Sequence, residues 1–297
     1  MINALTIDVE EYFHPSEVQR SISMDDWEGL PSRVEEQTDR VLELLDRHSV
    51  SATFFVMGWV ADRRPEVVRK ILQAGHEIGC HSYTHQMVYT LTPAQFRDDT
   101  LRAISAIENA GGVTPRLYRA PSYSITNESL WALEILAECG FEYDSSIFPI
   151  KHDRYGIPAF SRRAQVLRTP SGPIMEIPVA TAELGNGTIV PVGGGAYLRM
   201  LPYRYTAAGI RRINKVEAQP ACIYFHPWEL DTRQPRLASG FISRVRTYTG
   251  LGGMEGKLNR LMTEFQFSTM SSVYPNEAKK QIDSGCRGLA ETAVARA

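Results

Sequence analysis

No stretch of this 297-residue chain stays apolar over the roughly 20 residues needed to cross a bilayer, so no transmembrane helix is expected. The N-terminus, Met-Ile-Asn-Ala-Leu-Thr-Ile-Asp, has neither the basic region nor the apolar core of a signal peptide, which points to a cytoplasmic location. There is no basic excess either. The net charge is −2, which argues against nucleic acid or an anionic membrane as partner. Cysteine is scarce: Cys80, Cys139, Cys222 and Cys286 form no C-x-x-C pair. Buried, reduced thiols are the expectation. No internal repeat is found.

What is present is the composition of a globular protein, with 43% apolar and 22% charged residues, enough for a sizeable core. Short apolar runs alternate with amphipathic helical patterns. Strands are expected at 4–9, 51–57, 77–80, 116–119, 141–144 and 221–226. Ser32-Arg33-Val34-Glu35 and Thr92-Pro93-Ala94-Gln95 both read as capping boxes opening helices. Pro65 starts a further helix that Gly75 stops, and another covers about 127–139. Helical patterns recur near 203–216, 239–248 and 254–264, with a last strand near 265–270.

This βα rhythm predicts an α/β fold with a parallel sheet, open or closed into a barrel. The segment 155–195 breaks the rhythm. It is rich in Gly, Pro and Arg, contains Gly193-Gly194-Gly195, and is expected to be loops and irregular strands at a site mouth. Beyond about 272 the chain is polar and aperiodic, so a disordered tail over 272–297 is expected.

Polar residues gather just after the strands. Asp8 and Glu10 follow the first, His81 and His85 the third, and Arg119, Asp144 and His226 end later ones. Ligand sites of parallel α/β folds collect at these strand ends. The spacing His81-Ser82-Tyr83-Thr84-His85 puts two imidazoles on one face of a helical turn, close enough to share a divalent metal. Glu10 would complete a His/His/carboxylate set, Asp8 would act as base and His226 as acid. Arg119 before Ala120-Pro121 would orient the buried Asp8 carboxylate. Glu10 has a plainer reading as a helix-start acid beside Glu11, and Tyr12-Phe13 read as core. Trp228 is either a sugar-stacking surface or ordinary packing.

Taken together, Asp8, His81-Ser82-x-x-His85, Arg119-x-Pro121, Asp144 and Phe225-His226 resemble, in the same order, the five motifs of polysaccharide deacetylases with a NodB-homology domain (carbohydrate esterase family 4). The Asp8-Val9-Glu10 start, Arg119-Ala120-Pro121-Ser122-Tyr123, Gly193-Gly194-Gly195 and His226-Pro227-Trp228-Glu229 look most like a subgroup found with exopolysaccharide loci linked to exosortase systems. The chain departs from the usual T-F-D-D first motif. Val9 stands where the metal-binding Asp does, which makes Glu10 the substitute ligand.

The resemblance implies a distorted (β/α) barrel of about seven parallel strands, in a single domain over 1–271 with a C-terminal extension over 230–271. It implies a hydrolase removing N-acetyl groups from a glycan. Zn²⁺ is the expected cofactor, on Glu10, His81 and His85. Asp8, His226, Arg119 and Asp144 form the catalytic group, with Asp144 setting the tautomer of His226. The Ser122 backbone N–H is the oxyanion donor, and Tyr123 and Trp228 contact an N-acetylated glycan. Two rivals remain open at this stage: a cyclic amide, imide or allantoin hydrolase of the same fold, and a non-catalytic carbohydrate-binding or assembly protein.

Overall fold

Asp8 and Thr6 lie two residues apart on one strand, and Arg119 donates to both from across the fold. Such i, i+2 spacing puts side chains on the same face of a strand. Here that face is the inside of a barrel. The structure, a computed structural model, describes residues 1–274.

The strands are β1 (Ile2–Val9), β2 (Thr53–Val56), β3 (Glu77–Cys80), β4 (Leu117–Tyr118), β5 (Tyr143–Asp144), β6 (Gln165–Thr169), β7 (Gly172–Glu176), β8 (Thr181–Glu183), β9 (Ile189–Pro191), β10 (Cys222–Phe225) and β11 (Gln266–Ser268). Seven of them run parallel in the order β10-β1-β2-β3-β4-β5-β7. β11 adds a short parallel pairing to the start of β1, and β6 returns antiparallel on β7.

Among the described residues no regular ladder joins the two ends of this sheet. Irregular backbone closes the gap instead. Ile177 N–H donates to Asp144 O, Ala180 N–H to Cys222 O, and Gly195 N–H to Tyr224 O. The segment 177–195 thus crosses from the β5 side to β10. Gly194 is required there: a Cβ on it would sit 1.7 Å from the Tyr224 carbonyl oxygen, at a φ of +140°. The result is a distorted (β/α) barrel, as expected. The segment 155–195 is more ordered than expected, because it supplies the β6–β7 and β8–β9 hairpins and the seventh parallel strand. Its Gly and Pro content reflects turns and close approaches, which masked the strands between them.

Helices cover the outside. Val34–Arg47 buries Val34, Val41, Leu44 and Leu45, and Pro65–Gln73 buries Val67, Val68 and Ile71. A fully buried Val or Leu is worth roughly 1.5–3 kcal/mol, so these stripes dock the helices. Pro93–Gly111 starts at the expected Thr92/Gln95 capping box and ends at left-handed Gly112. The Ser32 box does not form. Ser32 Oγ and the Arg33 N–H both turn to the Glu11 carboxylate, which serves the helix start from outside the helix. The helix expected over 127–139 begins only at Ala132; the residues before it form turns, with Ser129 N–H donating to Thr126 O and Ala132 N–H to Ser129 O.

A second cluster, including Ala4, Phe55, Leu117, Met175 and Cys222, fills the barrel floor. Met270 and Tyr274 join it from a short helix, Met270–Val273. The tail therefore does not begin at 272, since these residues still bury apolar surface; 275–297 lie outside the described residues. Among the described cysteines, Cys80 and Cys222 are buried, Cys139 is half-buried, and all three are free. No helix among the described residues is long and apolar enough to cross a membrane.

Candidate metal centre and active site

The two imidazoles meet, though not on a helix. The segment after β3 is a loop in which Ser82 (φ 62°) and His85 (φ 54°) are left-handed. Ser82 Oγ accepts the His85 N–H at 3.1 Å, and the Asp99 carboxylate accepts the N–H groups of Tyr83 and Thr84, each at 2.9 Å. This folds the loop back until the rings lie 5.3 Å apart. The expected helical face is corrected to a hydrogen-bonded left-handed turn, whose stabilisation by Asp99 offsets the backbone strain.

Glu10 follows the end of β1. Its Oε2 lies 2.8 Å from His85 Nε2, and ligand atoms of Glu10, His81 and His85 fall within 4.8 Å of one another. His81 Nδ1 donates to the Arg119 carbonyl at 2.7 Å, which leaves Nε2 with its lone pair. Burial lowers the His81 pKa to about 4, keeping the ring neutral. Burial opposes the Glu10 charge, yet His85, His226 and His81 hold its pKa below the usual carboxylate range. Glu10 Oε2 is buried and makes no well-formed hydrogen bond. A buried carboxylate oxygen facing two imidazoles is a donor set that suits a divalent ion such as zinc.

Asp8 ends the same strand on the same inner face. Its Oδ1 accepts from Arg119 Nη1 at 2.7 Å. Arg119 is fully buried, with further bonds to Thr6, Ser145 and the Cys222 sulfur. Its guanidinium also lies 4.3 Å from the Phe55 ring centre. These contacts fix the carboxylate in one orientation.

His226 follows β10, which pairs with β1. Its Nε2 is 3.9 Å from Asp8 Oδ2 and 3.7 Å from Glu10 Oε1. Its Nδ1 is 3.0 Å from Glu229 Oε2. Glu229 is held in turn by Arg199 at 2.8 Å, both fully buried. Burial opposes the His226 charge, but the Glu229 hydrogen bond and the charges of Glu10, Glu229 and Asp8 raise its pKa to about 9.

Asp144 does not take the expected place beside His226. It accepts from Ser146 Oγ at 2.5 Å and pairs with buried Glu176. The Ser146 hydroxyl also accepts the Ala120 N–H at 2.8 Å, so Asp144 supports the Arg119 loop from beneath. Glu229 and Arg199 were missed as site residues. Glu229 did carry a signal, since it stands at the third position of the Pro227–Leu230 turn, where an acid reaches back to the residue before Pro. Arg199 had none.

A pocket of about 460 Å³ opens above these groups. Ser122 and Tyr123 line it in left-handed backbone (φ 51° and 54°). Tyr123 is buried, and its hydroxyl has no hydrogen-bond partner among the described residues. Trp228 also lines the wall, but it is 6% exposed, stacks on His226, and donates its indole N–H to Glu10 Oε1 at 2.8 Å. The indole N–H and one ring face are thus committed to the site's own residues. Further out, Glu17 accepts from Arg154 at 2.6 Å and Arg246 at 3.2 Å.

Residues 19–143 match the polysaccharide deacetylase family, and residues 145–275 match a domain of unknown function, DUF3473. The chain carries a polysaccharide deacetylase domain. A chitooligosaccharide deacetylase from Bradyrhizobium sp. is 39% identical over 101 residues, 34% of this chain and 43% of that protein. A peptidoglycan-N-acetylglucosamine deacetylase from Bacillus cereus is 32% identical over 100 residues, 33% of this chain and 36% of that protein. The chain thus spans less than half the length of these relatives. A crystal structure from Mycobacterium smegmatis, described as a polysaccharide deacetylase, superposes with a TM-score of 0.64 at 20% identity, over 94% of this chain and 90% of that one. It shows the shared fold.

The deacetylase match contains His81, His85 and Arg119. Asp8 and Glu10 precede it, and Arg199, His226, Trp228 and Glu229 belong to the region matched to DUF3473. The site is complete only where the deacetylase domain and this second region share one barrel.

Proposed function

We propose that this chain is a metal-dependent hydrolase that removes N-acetyl groups from N-acetylhexosamine units of a poly- or oligosaccharide, or of its lipid-linked precursor, in exopolysaccharide biosynthesis. The observation that carries the reading is the Glu10, His81, His85 set at the base of a pocket shared with Asp8 and His226. Zinc suits these donors, and when bound it supplies Lewis acidity to the acetyl carbonyl and acidifies a water.

The protein's own groups do the rest. Asp8 takes the proton of the attacking water, with Arg119 keeping its carboxylate oriented. The Ser122 backbone N–H donates to the developing oxyanion, a contact typically worth about 3 kcal/mol. His226 gives the Nε2 proton to the departing amine while Glu229 holds Nδ1. The Tyr123 hydroxyl, unpartnered in the pocket wall, hydrogen-bonds the glycan. The products are acetate and a free amino sugar. The relatives' names, which specify chitooligosaccharide and peptidoglycan, support a glycan substrate. A cytoplasmic location forms part of the proposal, because it would give access to a precursor before export; cell fractionation tests it.

The deciding experiment measures acetate release by the zinc-loaded protein from N-acetylglucosamine oligomers, in parallel with hydrolysis of allantoin and succinimide. Acetate from the oligomers alone is expected. Turnover of the cyclic amides alone, or of nothing while zinc is bound, would overturn the reading.

A further inference from the structure

The net charge of −2 hides an uneven distribution. Residues 1–144 carry 12 Lys and Arg against 23 Asp and Glu, whereas residues 145–274 carry 16 against 8. Within the basic half, residues 232–254 contain Arg233, Arg236, Arg244 and Arg246 and no acid. This stretch includes the helix Phe241–Tyr248, where Phe241 is 82% exposed and Ile242 is 66% exposed. Among the described large apolar residues, none is more exposed than Phe241.

The helix is firmly seated. Ser243 Oγ donates to Glu17 at 2.7 Å. Arg199 donates to the carbonyl oxygens of Arg246 and Thr249 at its C-terminal end, each at 2.5 Å. The preceding segment is tied back by the Ala238 N–H, which donates to the Tyr248 hydroxyl at 2.9 Å. Its inner face lends Arg246 and Thr247 to the pocket wall. Its other end presents Phe241 and Ile242 beside exposed Arg244; in the segment leading in, exposed Arg233 lies 3.8 Å from Glu36 and exposed Arg236 packs over the Tyr248 ring.

An exposed apolar pair next to an exposed arginine, in a stretch that carries four arginines and no acid, is the chemistry of an interfacial anchor. The apolar side chains enter the boundary between headgroups and acyl chains, and the guanidinium groups pair with lipid phosphates. A second copy of the chain fits less well, because a two-fold contact would set the same arginines against each other.

We propose that the Phe241–Ile242 end of this helix docks the protein on an anionic lipid surface, placing the adjoining pocket next to lipid-linked glycan. The identity of that glycan rests on the proposed hydrolytic activity; the docking does not.

The test sediments the full chain with vesicles of phosphatidylglycerol and phosphatidylcholine in equal parts, against phosphatidylcholine alone. Binding to the mixed vesicles at low salt, lost at high salt, is expected. Phe241→Ser with Ile242→Ser should weaken binding on the order of tenfold or more. Arg233→Gln with Arg244→Gln should remove much of the salt dependence. Both variants should keep the wild-type circular dichroism spectrum and acetate release from soluble oligomers. The proposal falls if wild type stays in the supernatant, or if the variants bind as wild type does. It also falls if light scattering shows a dimer that the apolar variant dissolves while neither binds vesicles. Vesicle binding without acetate release would sustain the docking and refute the hydrolytic reading.

Discussion

Trp228 donates its indole N–H to Glu10 Oε1 at 2.8 Å, and its ring stacks on His226 with centres 5.1 Å apart. One side chain from the C-terminal region thereby orients a metal-ligand candidate and buttresses the imidazole opposite it. Outer contacts of this kind typically change metal affinity by about 10–100-fold when removed. Trp228→Phe keeps the stack and loses the donor. It should weaken zinc binding by about that factor, read by competition with a chelating dye. Unchanged affinity would mean that the indole is only packing.

Glu229 sets the charge of His226. The folded-state pKa of His226 is raised to about 9, so the protonated form persists below that pH and is lost as pH rises through it. If His226 is the acid, the upper limb of the kcat/KM profile follows this loss. Glu229→Gln removes the anion and should move that limb to lower pH, with zinc content unchanged. A limb that stays put would separate Glu229 from the proton on His226.

Zinc and proton transfer should come apart on mutation. Asp8→Asn and His226→Ala should each lower kcat by about 10²–10⁴-fold while retaining the ion. His81→Ala should lose both activity and ion. Dialysis against a chelator should abolish acetate release by wild type, and added zinc should restore it. Full activity in the metal-free protein would refute the scheme.

Glu176 offers a stability test away from the pocket. It is fully buried beside Asp144, and burial first, then the Asp144 charge, raises its pKa well above 4.5. Such an acid favours the fold while protonated, below the unfolded-state value. The folded form then loses relative stability as pH climbs above that value, because the unfolded chain releases the proton more readily. Glu176→Gln removes this dependence, so the variant should gain on wild type between about pH 4 and 7 in denaturant unfolding. Parallel stability curves would show that Glu176 does not carry the raised pKa.

Much of this was legible in the chain. The strands that deliver Asp8, His81, Arg119 and His226 are short apolar runs, and β-period and helix-period patterns constrain backbone locally. Their alternation with helices implied a parallel α/β sheet, open or closed, and the resemblance to NodB-type deacetylases implied the distorted barrel. Some details were misread because tertiary contacts outbid local ones. Ser32 turned from its helix to Glu11, which also assigned the helix-start role to Glu11 rather than Glu10. The strand β7 was hidden because its flanking turns dominate the composition of 155–195.

By itself the sequence determined that polar residues stand at successive strand ends, since strand and turn propensities act over a few residues. It could not say which of them face each other. Asp144 and Glu229 are both acids close to strand ends, and both lie near His226 in the order of motifs. Only the closed barrel decides between them: β10 pairs with β1, bringing His226 and its own turn with Glu229 to Asp8 and Glu10, while β5 carries Asp144 to Glu176. Side chains from about 70 residues apart (Glu10 and His81) to 218 apart (Glu10 and Trp228) meet through packing and sheet order, which no local pattern encodes.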